Sequence, residues 1–212
     1  MFNRWFGAVA LGGLVCACNN DPAKDKAKAQ VSEPAAAVAS APLAGAIVYR
    51  FSQADSKLSF VGAKITGKHD GAFGGFTGDV QVRDGDPTKS VVRVDIDMST
   101  VSVDQPKLTA HLKTPDFFDV EKFPRAHFTS TTIRPDGENG ATHTVTGNLE
   151  LHGVTKAITF PATIRVSPGE VDADAEFAID RKDFGIVYPG KPDDLIKDQV
   201  LIHLSVHAKK AG

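Results

Sequence analysis

The run LTAHLKTPDFFDVEKFPRAHFTSTTI, Leu108 to Ile133, decides how the rest of the chain is read. It opens with enough helix formers for a single turn, sets Phe117 and Phe118 between Asp116 and Asp119, and stops at Phe123-Pro124. Proline lacks a backbone N–H and pushes the residue before it out of helical geometry, so the change of structure falls close to Pro124. From Ala126 the run His127, Phe128, Thr129, Ser130, Thr131, Thr132, Ile133 is rich in β-branched and aromatic side chains, the composition of a strand. A short aromatic plug feeding straight into a sheet is expected here.

Strand signals extend in both directions from it. Upstream lie Ile47 to Phe51 and Lys57 to Ala63, with Leu58 and Phe60 on one face. In GAFGGFTGDVQVR, Gly71 to Arg83, Phe76, Gly78, Val80 and Val82 alternate against Thr77, Asp79, Gln81 and Arg83, and Gly74-Gly75 offers the bend that a closed barrel needs at a corner. Asp84 to Lys89 is turn chemistry, and Ser90 to Met98 then sets Val92, Val94, Ile96 and Met98 inward. Downstream, Thr142 to Leu151 and Ala157 to Val166 flank the tight HGVTK connection, the spacing of a hairpin. Val171, Ala173, Ala175, Phe177 and Ile179 oppose Asp172, Asp174 and Glu176; the last strand points Val200, Ile202, Leu204 and Val206 inward and His203 and His207 outward. About eight such signals, each with one dry and one wet face, fit a sandwich or a closed barrel, and an eight-stranded barrel has room for one slender ligand.

HLKTPDFFDVEKFPRAHFTST, His111 to Thr131, resembles the signature of the YceI-like, polyisoprenoid-binding family. The likeness continues in GAFGGFTGDV at Gly71 to Val80, GNLELHGVTKAITF at Gly147 to Phe160 and RKDFGI at Arg181 to Ile186, in the family's order, across roughly residues 48 to 208. The resemblance implies an all-β fold over residues 46–212, a lipocalin-like eight-stranded antiparallel barrel with a short helical plug between strands. It also implies a non-catalytic protein that stores or transports a long isoprenoid lipid, often a quinone, held as a ligand rather than a cofactor. On that reading Phe60, Phe76, Phe128, Phe160 and Phe177 line the cavity, and Phe117 and Phe118 close one end.

Composition bears on the interior without deciding it. Thirteen phenylalanines stand against two tyrosines and one tryptophan, and all but Phe2 and Phe6 fall in the domain. Aromatics without a polar tip suit a wholly apolar interior, filled or hollow. The inward pair Ala173 and Ala175 either meets large neighbours or leaves space. An envelope stress or adhesive scaffold with a filled barrel is the alternative.

The N-terminus carries a different message. MFNRWFGAVALGGLVCACNN has one early charge, Arg4, and then an apolar run too short to span a bilayer, the proportions of a secretory signal peptide over residues 1–17. Leu14-Val15-Cys16-Ala17-Cys18 resembles a bacterial lipobox with Cys18 as acceptor; an ordinary signal peptide with a nearby cysteine pair is the plainer reading. Acylated Cys18 would anchor the protein to the periplasmic face of an envelope membrane, and Asn19 favours the outer over the inner one. Residues 18–45 lack large apolar side chains and read as a disordered, lipidated tether.

Other chemistries find little support. A net charge of -2 and a pI near 6.4, with no Lys/Arg run interleaved with aromatics, argue against nucleic acid as a partner. Cys16 and Cys18 are the only cysteines, so the domain has no disulfide. His203 and His207 lie about 13 Å apart along a strand, too far to share an ion, and no metal is expected. Asp116, Asp119 and Glu121 serve a helix N-cap at Thr114 or Asp116 more simply than catalysis, and no nucleophile or zincin motif occurs. Arg181 is either a functional arginine at a barrel mouth or part of a turn whose Phe184 seals it. A homodimer is left open.

Overall fold

The computed structural model describes residues 21–36, 42–138 and 140–212, so the expected signal peptide and the lipidation site Cys18 lie outside the described residues. The strands are β1 (Gln30–Ser32), β2 (Ile47–Ser52), β3 (Lys57–Lys64), β4 (Gly67–Phe73), β5 (Phe76–Arg83), β6 (Asp86–Asp97), β7 (Val101–Val103), β8 (Arg125–Arg134), β9 (His143–Leu151), β10 (Val154–Val166), β11 (Glu170–Asp180), β12 (Gly190–Lys191), β13 (Asp194–Leu195) and β14 (Gln199–Lys210). The helix α1 (Pro106–Leu112) lies between β7 and β8.

Eight of these strands close on themselves in the antiparallel order β2, β5, β6, β8, β9, β10, β11, β14 and back to β2. This is the expected barrel, and its corners are where the sequence bends. β4 and β5 are two halves of one run, broken at Gly74-Gly75; the Gly75 amide is held by the Thr100 hydroxyl at 2.9 Å. β2 and β3 are likewise consecutive halves, and β14 pairs with both, through Lys209–Lys210 and Leu201–Ser205 respectively. Two hairpins turn through two left-handed residues each, Asp84-Gly85 and His152-Gly153, with φ between 54° and 73°, the geometry whose twist matches flanking strands. The first makes the turn shorter than Asp84 to Lys89: β6 already begins at Asp86, because Arg83 pairs directly with Asp86.

Two other expectations change. The helix of the plug occupies Pro106–Leu112, upstream of the acids, with Pro106 in the first turn where its missing N–H costs nothing. Thr114 and Asp116 therefore lie beyond its C-terminus: the Thr114 hydroxyl donates to the His111 carbonyl, and Asp116 pairs with the His111 ring at 2.7 Å. Nor are residues 21–36 a disordered tether. Gln30–Ser32 pair with Ala157–Thr159 of β10, Ala23 is buried, and the Asn148 side chain bonds the Ala35 backbone in both directions at 2.9 Å. A barrel edge supplies the hydrogen bonds that this weakly apolar segment could not supply alone.

Candidate functional site

The interior is hollow between two packed ends. At the floor Tyr49, Val82, Val171 and Ala208 pack together, and the Tyr49 hydroxyl donates to the Ser167 carbonyl at 3.2 Å. At the other end Leu112 and Phe117 of the plug meet Phe60, Val101 and Ile186. Between them lies a cavity of about 270 Å³ with almost no polar surface, although Lys57, Asp174, Arg181 and Lys197 border it. Val94, Leu149, Ile164, Ile202, Leu204 and Val206 face this space, and each remains only partly buried. A solid core would have covered them. A larger depression, about 1180 Å³, lies on the outer wall, but its mixed lining of Lys57, Asp174, Glu176 and His203 is open to water and unsuited to hydrocarbon.

The space survives because the aromatic rings lie against the wall. Phe60 covers its cross-strand partner Gly71, where a β-carbon would stand 2.3 Å from the ring. Phe51 covers its partner Gly78 and Phe128 covers Gly147, at 2.2 and 2.4 Å by the same measure. Each pair lets a large ring recline on a bare stretch of backbone, as aromatic rescue of strand glycine does. Phe160 and Phe177 stack with centroids 4.1 Å apart and planes 15° apart, so two rings occupy one layer of wall.

The structure places all seven phenylalanines singled out in the sequence on this cavity: Phe60, Phe76, Phe117, Phe118, Phe128, Phe160 and Phe177. Phe118 meets Phe73 edge-on at 5.9 Å, and Phe73 meets Phe60 at 5.5 Å, linking plug to wall. Ala173 and Ala175 also line it, so the inward alanine pair leaves space. The model matching residues 49–208 is that of the YceI-like domain. The chain belongs to the YceI-like family. A UPF0312 protein of Pseudomonas putida (strain W619) is 34% identical over 142 residues, covering 64% of this chain and 71% of its own length. Among solved structures, BcnA of Burkholderia cenocepacia superposes with a TM-score of 0.63 at 24% identity, covering 75% of this chain and 98% of that one. A polyisoprenoid binding domain from Saccharophagus degradans, implicated in plant cell wall breakdown, gives 0.61 at 16% identity over 78% and 99% of the two chains. At these identities both neighbours bear on the fold.

In this YceI-like barrel Arg181 and Phe184 do different work in one 3-10 turn. Phe184 is fully buried among Ile158, Phe160 and Phe177. Arg181, 5% exposed, donates to the carbonyls of Ile186 at 2.7 Å and Lys197 at 3.2 Å and to Asp198 at 3.1 Å. It clamps the connection between β11 and β14 over the plug end. The titratable side chains with perturbed behaviour are not among those lining the cavity. Hydrogen bonding to Asp172 raises the His207 pKa, and burial lowers that of His143. Among the described residues no cluster of three His, Cys, Asp or Glu side chains is arranged to hold a metal ion. Phe51, Phe73 and the glycines beneath the rings were not singled out as site residues; the signal that could have found them is an inward glycine one strand away from an inward phenylalanine.

Proposed function

We propose that the chain is a non-catalytic binding protein of the bacterial cell envelope that holds the tail of a long isoprenoid lipid or quinone inside its barrel, for storage or transport. The observation that carries this reading is the cavity wall, which is apolar almost without interruption. A polar substrate would find no partner there. The fold neighbour from Saccharophagus degradans is described as polyisoprenoid binding, which supports the same ligand class here. The lipobox-like sequence around Cys18 supports an anchor at the periplasmic face, in the outer membrane by the residue that follows it.

The energetics suit a reversible carrier. At about 30 Å³ for each carbon-sized volume, the 270 Å³ cavity accepts about nine carbons, close to two isoprene units. Against water these contribute on the order of 7 kcal/mol at about 0.8 kcal/mol per carbon, before ordering costs. Against a bilayer the gain largely cancels, since lipid tails are already dry, so transfer in either direction is close to isoenergetic. A longer chain must widen the cavity or leave part of itself outside.

The test is organic extraction and mass spectrometry of the protein purified from cell envelopes. A co-purifying isoprenoid chain, or uptake of one when supplied, is the expected outcome. Neither a bound lipid nor any uptake would return the chain to the empty scaffold.

A further inference from the structure

The barrel is not hydrogen-bonded all round by its own eight strands. β10 and β11 pair only from Thr163–Asp174 to Val166–Val171. Continued, the register would set Pro161 opposite Glu176 and Thr159 opposite Ala178. It stops at Pro161. The Ala162 carbonyl accepts from Thr142 on the β9 side, so by alternation the Pro161 nitrogen, which carries no hydrogen, turns toward β11. Above this point the two strands part, leaving Ile158, Phe160, Phe177 and Ile179 of the inner wall along a lateral seam.

The chain's own N-terminal segment fills it. Ala178 exchanges backbone hydrogen bonds with Ala27 and Ala29, both 2.8 Å, while Gln30 pairs with Thr159 across the gap. Ala29 and Val31 turn inward onto the phenylalanine layer; Lys28, Gln30 and Ser32 turn out. The inward contact is small, and the flanking ion pairs, Lys26 with Glu176 and Lys156 with Glu33, are solvent-exposed and individually weak. The filling is also incomplete. Between the strand and the end of β11 lies a polar cleft of about 410 Å³, lined by Lys28, Lys156, Asp180, Asp183 and Gln199 among others.

We propose that the β10–β11 seam is the side entrance of the cavity, taking in the apolar tail of a membrane lipid while its head group rests in the outer cleft, and that residues 27–32 are the removable strand that closes it. The proposal rests on the lipid-binding reading above. It explains how an interior packed at floor and plug can be loaded without disturbing either end. It also assigns a purpose to the position of the segment. Only Asn19 and Asn20 lie between Cys18 and Asp21, so an acyl anchor at Cys18 would hold this flank within about 10 Å of the lipid while the strand is seated. Release of the strand opens the wall and lengthens the tether together. The cleft carries both charge signs, which favours a neutral hydrogen-bonding head group over a pyrophosphate.

The experiment uses the full chain carrying Cys16→Ser and Cys18→Ser, so that no native thiol competes, with Gln30→Cys and Thr159→Cys added to lock the strand. These residues are antiparallel partners with outward side chains, within the reach of a disulfide. The probe is a fluorescent geranylgeranyl lipid in phosphatidylcholine vesicles. Oxidised protein is expected to load about tenfold or more slowly than the same protein reduced, since uptake then waits on a suppressed open state, with the final amount bound unchanged. Val31→Asp, without the lock, is expected to load faster and to speed amide exchange at Ala29 and Ala178. Equal loading rates for oxidised and reduced protein, or an unchanged rate for Val31→Asp, would overturn the side entrance while leaving lipid binding intact. No loading by any form, wild type included, would overturn the lipid reading itself and the entrance with it.

Discussion

Replacing Ala173 with phenylalanine separates a hollow barrel from a filled one. Ala173 faces the cavity from β11, paired with Ile164 on one side and Val206 on the other. The substitution adds six ring carbons, which occupy a substantial share of the 270 Å³ available. Burying the ring contributes about 1.5–3 kcal/mol, and fitting it costs about 1–3 kcal/mol in strain, so the two nearly cancel. The melting temperature should move by no more than about 6 °C, at 2–4 °C per kcal/mol for a chain of this size. The contrast is Ala208→Phe. Ala208 is fully buried in the solid floor, where no such space exists, and the same ring should cost more than about 3 kcal/mol and lower the melting temperature by about 10 °C. Thermal melts of both variants, with isoprenoid uptake measured alongside, decide the matter. Ala173→Phe should remain folded and lose most of its uptake. If it destabilises as severely as Ala208→Phe, the interior is solid; if it stays folded and binds fully, the lipid lies elsewhere.

Gly78→Ala should cost about 1–3 kcal/mol by urea denaturation, because its β-carbon would stand 2.2 Å from the Phe51 ring and 2.6 Å from the Arg93 carbonyl. Gly62→Ala, whose β-carbon meets nothing within 4 Å, should be neutral or stabilising by up to about 1 kcal/mol; equal losses at both sites would refute the account of rings reclining on glycine. Arg181→Met removes the donors to Ile186, Lys197 and Asp198 and should destabilise by about 2–4 kcal/mol, with amide exchange rising first in residues 181–198; a change below 1 kcal/mol would show that the clamp is dispensable. His207, raised by its bond to Asp172, contributes stability fully present below pH 6.5, its unfolded value, and lost as pH rises through the higher folded value. Asp172→Asn should therefore flatten the loss of stability across that window, followed by melting temperature against pH; an unchanged profile would exclude the pair as its source.

Much of the barrel was legible because alternation is a local property. The inward sets of β5, β10, β11 and β14 follow directly from apolar residues at every second position, and the His152-Gly153 and Asp84-Gly85 turns follow from residue types that tolerate positive φ. The inward placement of Phe60, Phe76, Phe128, Phe160 and Phe177 was legible for the same reason, whereas Phe117 and Phe118 were read as a plug closing one end. The seating of Gln30–Ser32 was not, because nothing in AKAQVSEP is apolar enough to announce a strand; its partners are backbone groups about 130 residues away. Pro161 was the available signal. A proline in the middle of an alternating run marks a place where a ladder ends, and the strand β10 read as continuous is in fact shared among β9, β11 and β1. The helix boundary was misplaced on similar grounds: Pro106 starts α1, whereas the Asp-rich sequence after Leu112 resembles a helix start and instead wraps its C-terminus.

Whether the centre was filled or hollow could not be settled by counting phenylalanines, because a ring's effect depends on what lies behind it. Behind Phe51, Phe60 and Phe128 there are glycines rather than side chains, so each ring displaces toward the wall by roughly the depth of the missing side chain. The stacked pair Phe160–Phe177 and the inward alanines then thin the same wall around β10 and β11. The result is an interior rich in aromatic surface and poor in aromatic volume. That combination leaves continuous dispersion contacts for a hydrocarbon chain at its perimeter while keeping polar partners away. It also sets the small side chains Ala162, Ala173 and Ala175 beside Pro161, where the strand ladder is already interrupted. Glycines on β4, β5 and β9 hold the hollow open, and on β10 a proline leaves the wall dependent on a strand borrowed from the chain's own N-terminal segment.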